Sequence, residues 1–218
     1  RATPLGVYQV TNTNRNSLKE TSITANRLST DYRRTLNDYA FSLWSGELGL
    51  TDFTIAMYSL VNTGLYTAWL EGFAEYGIQA DAILQDEWLS YYLAVNKERS
   101  YITRLAFFIF AHRGSDQYPA SAIESRLNLW ANRWLDIYNR ARLLGAKDAP
   151  LTWVLGTAEK HCTDCIWAQG KTYRASIWRK YGWQTQSAAL SCGGLNCDCH
   201  LEPASTPLTR GKPRRLGK

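Results

Sequence analysis

The cysteines are the residues of this chain best suited to chemistry, because they are concentrated in one region. All five share one segment near the C-terminal end of the sequence: Cys162, Cys165, Cys192, Cys197 and Cys199. Cys162 and Cys165 have the spacing at which one tight turn directs two sulfurs at a single point. The other three surround a turn expected at Gly193 and Gly194. The segment therefore has the composition of a cross-linked site.

Three kinds of chemistry fit these cysteines. A tetrahedral metal such as zinc needs four thiolate or imidazole ligands, so we expect four of the five cysteines to bind it, with His161 or His200 as substitutes. One or two disulfides, with the odd cysteine free, would staple the same region. A catalytic thiol at Cys162 with His161 as its base is a weaker alternative, since sequence neighbours rarely point at each other. Zinc and disulfides both stay open at this point.

Motifs for enzymatic chemistry are missing from the sequence. It contains no Gly-rich phosphate loop, no H-E-x-x-H and no G-x-S-x-G. The adjacent carboxylates Asp86 and Glu87 would point in different directions on a helix and are better explained as charges of its first turn. We therefore predict a protein that is not an enzyme and assign no catalytic residue.

Helical periodicity dominates the sequence before the cysteines. Apolar residues recur at steps of three and four in four segments, at about 17–45, 51–76, 86–112 and 120–145. The second segment is apolar around most of its surface and should be central. Gly64 and Gly72 either let a neighbour come close or merely loosen the helix. Four helices with short connections predict a helical bundle or an elongated helical body.

A smaller unit should follow a hinge at 147–150. We expect a strand at 151–156 and a short helix, or a strand and a helix, within 166–181. Its core is too small to be stable without a cross-link. The predicted fold is therefore mainly α, with a C-terminal α+β lobe cross-linked by cysteine through zinc or disulfides. It divides into an extended N-terminal arm (1–13), a helical body (14–146), the small cysteine-rich lobe (147–203) and a flexible basic tail (204–218).

Basic residues are in excess. The formal net charge is +6 and the isoelectric point is about 9.1, a balance that favours polyanions. Part of the excess lies in the tail, where we expect contact with nucleic acid or a partner: Arg210, Lys212, Arg214, Arg215 and Lys218. The most apolar run, 105–111, is much shorter than the roughly 20 residues that a membrane span needs, so no membrane contact is predicted.

Residues 120–203 resemble the C-terminal half of phage minor head proteins of the Mu F-like head-morphogenesis family. Four elements carry the resemblance: Ala131-Asn132, Tyr138 to Arg142, Cys162 with Cys165, and Cys197-Asp198-Cys199 followed by Leu201. The chain departs from the family's pattern in two places: Asn132 follows the alanine in the order Ala-Asn, and Asp198 lies where a basic residue is usual. Cys192 resembles an additional cysteine that a subgroup of the family has.

The resemblance implies a structural role as a minor component of a tailed-phage head. Such a protein would bind the portal or major capsid protein inside the head, support assembly or genome packaging, and contact packaged DNA through its basic tail. It would be found in the virion and, during assembly, in the host cytoplasm. The alternative is a zinc-stabilised nucleic-acid-binding module, with basic and aromatic side chains for phosphates and bases: Arg174, Arg179, Lys180, Tyr173, Trp178 and Tyr181.

Overall fold

The computed structural model describes residues 12–115, 120–194 and 197–216. Four long helices form the first part: α1 (Asn12–Ser45), α2 (Leu50–Ala74), α3 (Gln85–His112) and α4 (Ala120–Gly145), with one turn of 3-10 helix at Ala80–Ala82. The predicted helical body is confirmed. Because α1 begins at Asn12, residues 12 and 13 belong to this helix and not to the expected arm. The rest of that arm, 1–11, lies outside the described residues.

Helix α2 is the centre of the body, as its apolar surface predicted. It packs against α1, α3 and α4, and its Phe53, Leu65 and Trp69 are fully buried. Close approach at its two glycines is confirmed: a side chain at Gly64 would collide with the Tyr32 ring of α1, and one at Gly72 with the α4 backbone. No helix in the described ranges is both long enough and apolar enough to cross a membrane.

The second part is a small α+β lobe. Its elements, in chain order, are β1 (Pro150–Val154), α5 (Thr163–Ala168), β2 (Thr172–Arg174), α6 (Ala175–Lys180) and β3 (His200–Pro203). The strands form an antiparallel sheet in the order β2-β1-β3. The mainly α fold with a small α+β lobe is therefore confirmed.

Three tryptophans fill the core of the lobe. Trp153, Trp178 and Trp183 are fully buried and contact one another. Leu143 and Ala146, at the C-terminal end of α4, belong to the same cluster. A core of this size is stabilised when it is built onto an existing element, because part of its apolar surface is then already ordered. The lobe is thus built on the last turn of α4.

The connection between α4 and β1 is a hydrogen-bonded turn and not a loose hinge. The Ala149 amide donates to the Ala146 carbonyl over 2.9 Å. Asp148 accepts hydrogen bonds from Arg174, at 3.1 Å, and from the Ser176 hydroxyl. The lobe is therefore attached to the body at its first residues.

The tail packs on the lobe, so the prediction of a flexible tail is wrong for residues 204–216. The Thr209 amide donates to the Thr172 carbonyl over 2.8 Å, and the indole N–H of Trp183 donates to the Arg214 carbonyl over 2.6 Å. Proline, glycine and arginine gave this segment the composition of a disordered tail. However, its backbone groups satisfy polar atoms that the lobe would otherwise leave without partners, and this fixes its path.

Candidate metal centre

The start of α5 forms the first half of the cysteine site. Cys162 is the N-cap residue, with extended backbone angles of φ −71° and ψ 159°. Its sulfur accepts a hydrogen bond from the Cys165 amide, with N and Sγ 3.5 Å apart. Capping with a sulfur in place of the usual oxygen turns both cysteines of the C-x-x-C motif toward the same side of the helix start.

The segment before β3 brings the second half. The sulfurs of Cys165, Cys197 and Cys199 all lie within 4.8 Å of one another, and those of Cys165 and Cys197 are 3.9 Å apart. Zinc–sulfur bonds of about 2.3 Å in a tetrahedron place sulfurs about 3.8 Å apart. The spacing of this cluster therefore fits a metal ion.

Disulfides do not occur among these residues. All five cysteines lie in the described part of the chain, and all five are free thiols. The 3.9 Å between Cys165 Sγ and Cys197 Sγ is almost twice the S–S bond length of about 2.05 Å. Of the two cross-links expected from the sequence, the cysteine geometry supports a metal.

Backbone amides point at most of the sulfurs. The Cys162 sulfur accepts the Cys165 amide, and backbone amides near Cys192, Cys197 and Cys199 act to lower the pKa of these thiols. Near Cys197 they are the amides of Gln186 and Cys199. Such donors stabilise the charged thiolate, which is the form that binds a metal. The folded backbone thus favours thiolates at this site.

Cys165 and Cys197 share a proton between their sulfurs. The hydrogen bond from the Cys165 thiol lowers the pKa of Cys197 to about 6. The same hydrogen bond, together with burial, raises the pKa of Cys165. In the metal-free chain, Cys197 is therefore the thiolate and Cys165 the thiol at neutral pH. Metal binding to both sulfurs would release the shared proton.

Asp198 connects the two halves of the site. Its carboxylate accepts hydrogen bonds from the Ala158 amide, over 2.9 Å, and from the amide and hydroxyl of Thr157, the latter over 3.1 Å. Burial alone would raise the pKa of Asp198, but these hydrogen bonds outweigh it and lower the pKa. The carboxylate occupies the space beside Gly156, where any side chain would collide with it. It therefore holds the loop before Cys162 against the C-x-C segment.

The two candidate histidines differ in position. His161 belongs to a second group with Asp198 and Cys199, and its Nδ1 lies 3.7 Å from Cys199 Sγ. This pairing differs from the His161–Cys162 pairing that a catalytic thiol would use. His200 contacts the Glu202 carboxylate over 2.9 Å and the Asp198 carbonyl over 3.2 Å. Of the two, only His161 is close to the sulfurs.

A chain of amides, which the sequence did not reveal, supports the site from α4. Asn139 donates to the Gln186 side chain over 2.5 Å, and Gln186 donates to the Cys197 carbonyl over 2.6 Å. Gln186 has a positive φ of 58°, and a side chain at Gly194 would collide with its carbonyl oxygen. The turn expected at Gly193 and Gly194 is confirmed by their φ values of 63° and 75°. In the sequence, this glycine pair was the one indication that the loop takes a special conformation here.

Several residues expected to bind bases and phosphates take part in the packing of the lobe. Tyr173 and Trp178 are buried in the lobe core. Arg174 contacts the Asp148 carboxylate over 3.1 Å, and Arg179 donates to the Leu143 carbonyl over 2.6 Å. Tyr173 and Trp178 are therefore not available to stack on bases, whereas Arg174 and Lys180 are exposed and Tyr181 is half-buried.

The basic residues of the tail divide into two groups. Arg210, Lys212 and Arg215 are exposed. Arg214 forms an ion pair with Asp164 and lies over the rings of Trp167 and Trp183. Lys218 lies outside the described residues. Arg214 therefore has a structural contact, whereas the first three face solvent.

Comparisons with known proteins do not add an assignment. No protein-family model matches the chain, and neither does any curated protein or solved structure in the comparison.

Proposed function

We propose that the protein is a structural, non-enzymatic minor component of a tailed-phage head. It binds the portal or major capsid protein inside the head and supports assembly or genome packaging. It is located in the virion and, during assembly, in the host cytoplasm. Exposed Arg210, Lys212 and Arg215 are available to packaged DNA, and contacts with phosphates would release counterions.

One contact supports this proposal most directly. Arg142, at the end of the helical motif that carries the resemblance, donates to the carbonyl of Leu201, which follows the C-x-C motif. These two motifs are far apart in sequence, yet they are in contact at the junction of body and lobe. This contact explains in structural terms why both motifs occur in one chain, and it requires no catalytic group.

The proposal includes a zinc ion in the cysteine cluster. Cys165, Cys197 and Cys199 supply three thiolates from positions already close together. Cys162 supplies the fourth, since it is the N-cap residue of the helix that carries Cys165 and its sulfur already accepts the Cys165 amide. Cys192 stays outside the ligand set. The zinc adds to the small tryptophan core of the lobe by cross-linking the start of α5 to the segment that precedes β3.

The head assignment is tested by looking for the protein in particles. Phage particles from its natural source are purified on a density gradient, and their peptides are identified by mass spectrometry. The proposal expects the protein in filled or empty heads at a fixed ratio to portal protein. It fails if the protein is found only outside particles, and DNA binding by the full-length purified chain would then favour the nucleic-acid-binding alternative.

A further inference from the structure

Helix α3 exposes an apolar stripe. Leu89, Leu93, Phe107 and Phe110 are between 38% and 64% exposed. They belong to a series of positions from Leu89 to Phe110 that advances by alternating steps of four and three residues. This is the spacing of the seam of a coiled coil, in which one helix packs along another. The outer face of α3 therefore has the pattern of a helix that lacks its partner.

The centre of the stripe is polar without being charged. The series passes through Asn96, Ser100 and Thr103, all of which are exposed. Insertion of this face into a lipid surface would remove water from these groups without giving them partners. A second helix can supply hydrogen bonds to them, and polar residues in a seam fix its register. The pattern therefore favours a protein helix over a membrane.

The charges beside the stripe indicate the chemistry of the partner. Lys97, Arg99 and Arg104 flank it and are exposed. The only acidic residue within 89–110 is Glu98, and its carboxylate faces Arg133 of α4, 3.4 Å away. A second copy of this chain would place like charges against one another, which is unfavourable. A partner with carboxylates beside its apolar seam would neutralise them.

A groove between α2 and α3 lies next to the stripe. It has a volume of about 380 Å³, and Tyr66, Tyr92 and Asn96 are among the residues that line it. Tyr66 and Tyr92 are both more than 40% exposed. Binding energy in helical complexes is concentrated in a few large side chains that fill such pockets. The groove is thus a place for one anchoring side chain of the partner.

We propose that the outer face of α3 binds an amphipathic, acidic helix of another protein. The apolar seam of that helix packs on Leu89, Leu93, Phe107 and Phe110, and its flanking Asp or Glu side chains pair with Lys97, Arg99 and Arg104. This surface follows from α3 and α2 alone and does not depend on the head assignment.

The test uses the full-length chain and synthetic helical peptides. The first peptide has about four heptads with Leu at its seam and Glu at the flanking positions, and the second replaces every Glu by Lys. Both are used where sedimentation shows them to be monomeric. Fluorescence anisotropy should show binding of the acidic peptide and at least ~10-fold weaker binding of the basic one. Equal affinity for both peptides, or no binding of the acidic one, overturns the proposal.

Variants distinguish binding at this face from nonspecific hydrophobic binding. Leu93→Glu and Phe107→Glu should each weaken binding of the acidic peptide ~10-fold or more, while Ile166→Glu, an equally exposed position on α5, should not change it. Changing Lys97 and Arg104 together to Glu should reverse the preference between peptides. Circular dichroism checks that each variant is folded.

Two other results would also overturn the proposal. One is a concentration-dependent dimer in sedimentation equilibrium that Leu93→Glu abolishes, since the occupant would then be a second copy. The other is tighter binding to phosphatidylglycerol vesicles than to the acidic peptide, with the same dependence on Leu93 and Phe107, since the occupant would then be a membrane.

Discussion

Arg142 Nη2 donates a hydrogen bond to the carbonyl oxygen of Leu201 over 3.3 Å. The same guanidinium forms an ion pair with Glu75 of α2, whose carboxylate also accepts the Tyr138 hydroxyl. One side chain of α4 therefore joins the central helix of the body to the last strand of the lobe. The stability of the lobe should depend on this contact.

Replacing Arg142 by Ala should destabilise the protein by about 3 kcal/mol, because it leaves the buried Glu75 carboxylate without its charge partner. Urea unfolding monitored by tryptophan fluorescence measures the change. Arg34→Ala is the matched control, since it removes an exposed ion pair with Asp31 and should cost less than about 1 kcal/mol. Equal losses of unfolding free energy in the two variants would mean that Arg142 does not join the helical body to the lobe.

The glycine pair of the cysteine loop offers a second test. Gly194→Ala should cost more than about 2 kcal/mol and lower metal affinity, because it combines a positive φ with a collision at the Gln186 carbonyl. Gly193→Ala has a similar φ but open space around it, so only the conformational cost of about 1–2 kcal/mol remains. Thermal unfolding and zinc titration compare the two. A Gly193 variant as damaged as the Gly194 variant would contradict the described loop.

Cys197 should react at lower pH than Cys192 in the metal-free chain. Its pKa is lowered to about 6, so its thiolate is present above that pH and is lost as the pH falls through it. The pKa of Cys192 is raised to about 12 by burial, so this residue should stay largely protonated at pH 8. Brief iodoacetamide alkylation between pH 5 and 9, followed by peptide mass spectrometry, ranks them. Faster modification of Cys192 at pH 7 would show that the pairing of Cys165 with Cys197 is wrong.

The proposed ligand set predicts unequal effects of serine substitutions. Cys165→Ser should lose most of its zinc and unfold the lobe, whereas the helical body keeps its circular dichroism. Cys192→Ser should keep its zinc and its stability to within about 1 kcal/mol, since this sulfur is outside the set. Metal analysis after dialysis measures both variants. Loss of zinc from Cys192→Ser, with retention in Cys162→Ser, would exchange the roles of these two cysteines.

The helices were predictable from the sequence because burial on one face leaves a periodic pattern. The predicted ends of α3 and α4 agree with those observed to within one residue. Helix α2 begins at Leu50, one residue before the predicted start at 51, because Gly49 takes the N-cap position without a side-chain hydrogen bond. Periodicity therefore located the elements, whereas a cap with no side-chain signal could not be located.

The site was predictable in part. The spacing of Cys162 and Cys165 indicated their common direction, and Gly193 and Gly194 indicated the turn. The roles of Asp198 and Gln186 depend on backbone groups distant in sequence, Thr157 and Ala158 for Asp198 and the Cys197 carbonyl for Gln186. The path of residues 204–216 likewise depends on hydrogen bonds to distant residues, such as that from the Thr209 amide to the Thr172 carbonyl. Contacts of this kind leave no local pattern, since any residue can supply a backbone donor or acceptor.

Metal content and thiol accessibility, measured together on the purified wild-type chain, show directly whether the cysteine cluster binds zinc. We predict one zinc ion per chain, four thiols protected from a thiol reagent, and a fifth, Cys192, that is unprotected but reacts slowly because its pKa is raised. Chelation should then expose all five thiols and unfold the lobe while α1 to α4 remain helical. A folded lobe with no bound metal and five reactive thiols, or with thiols lost to disulfides, would contradict it.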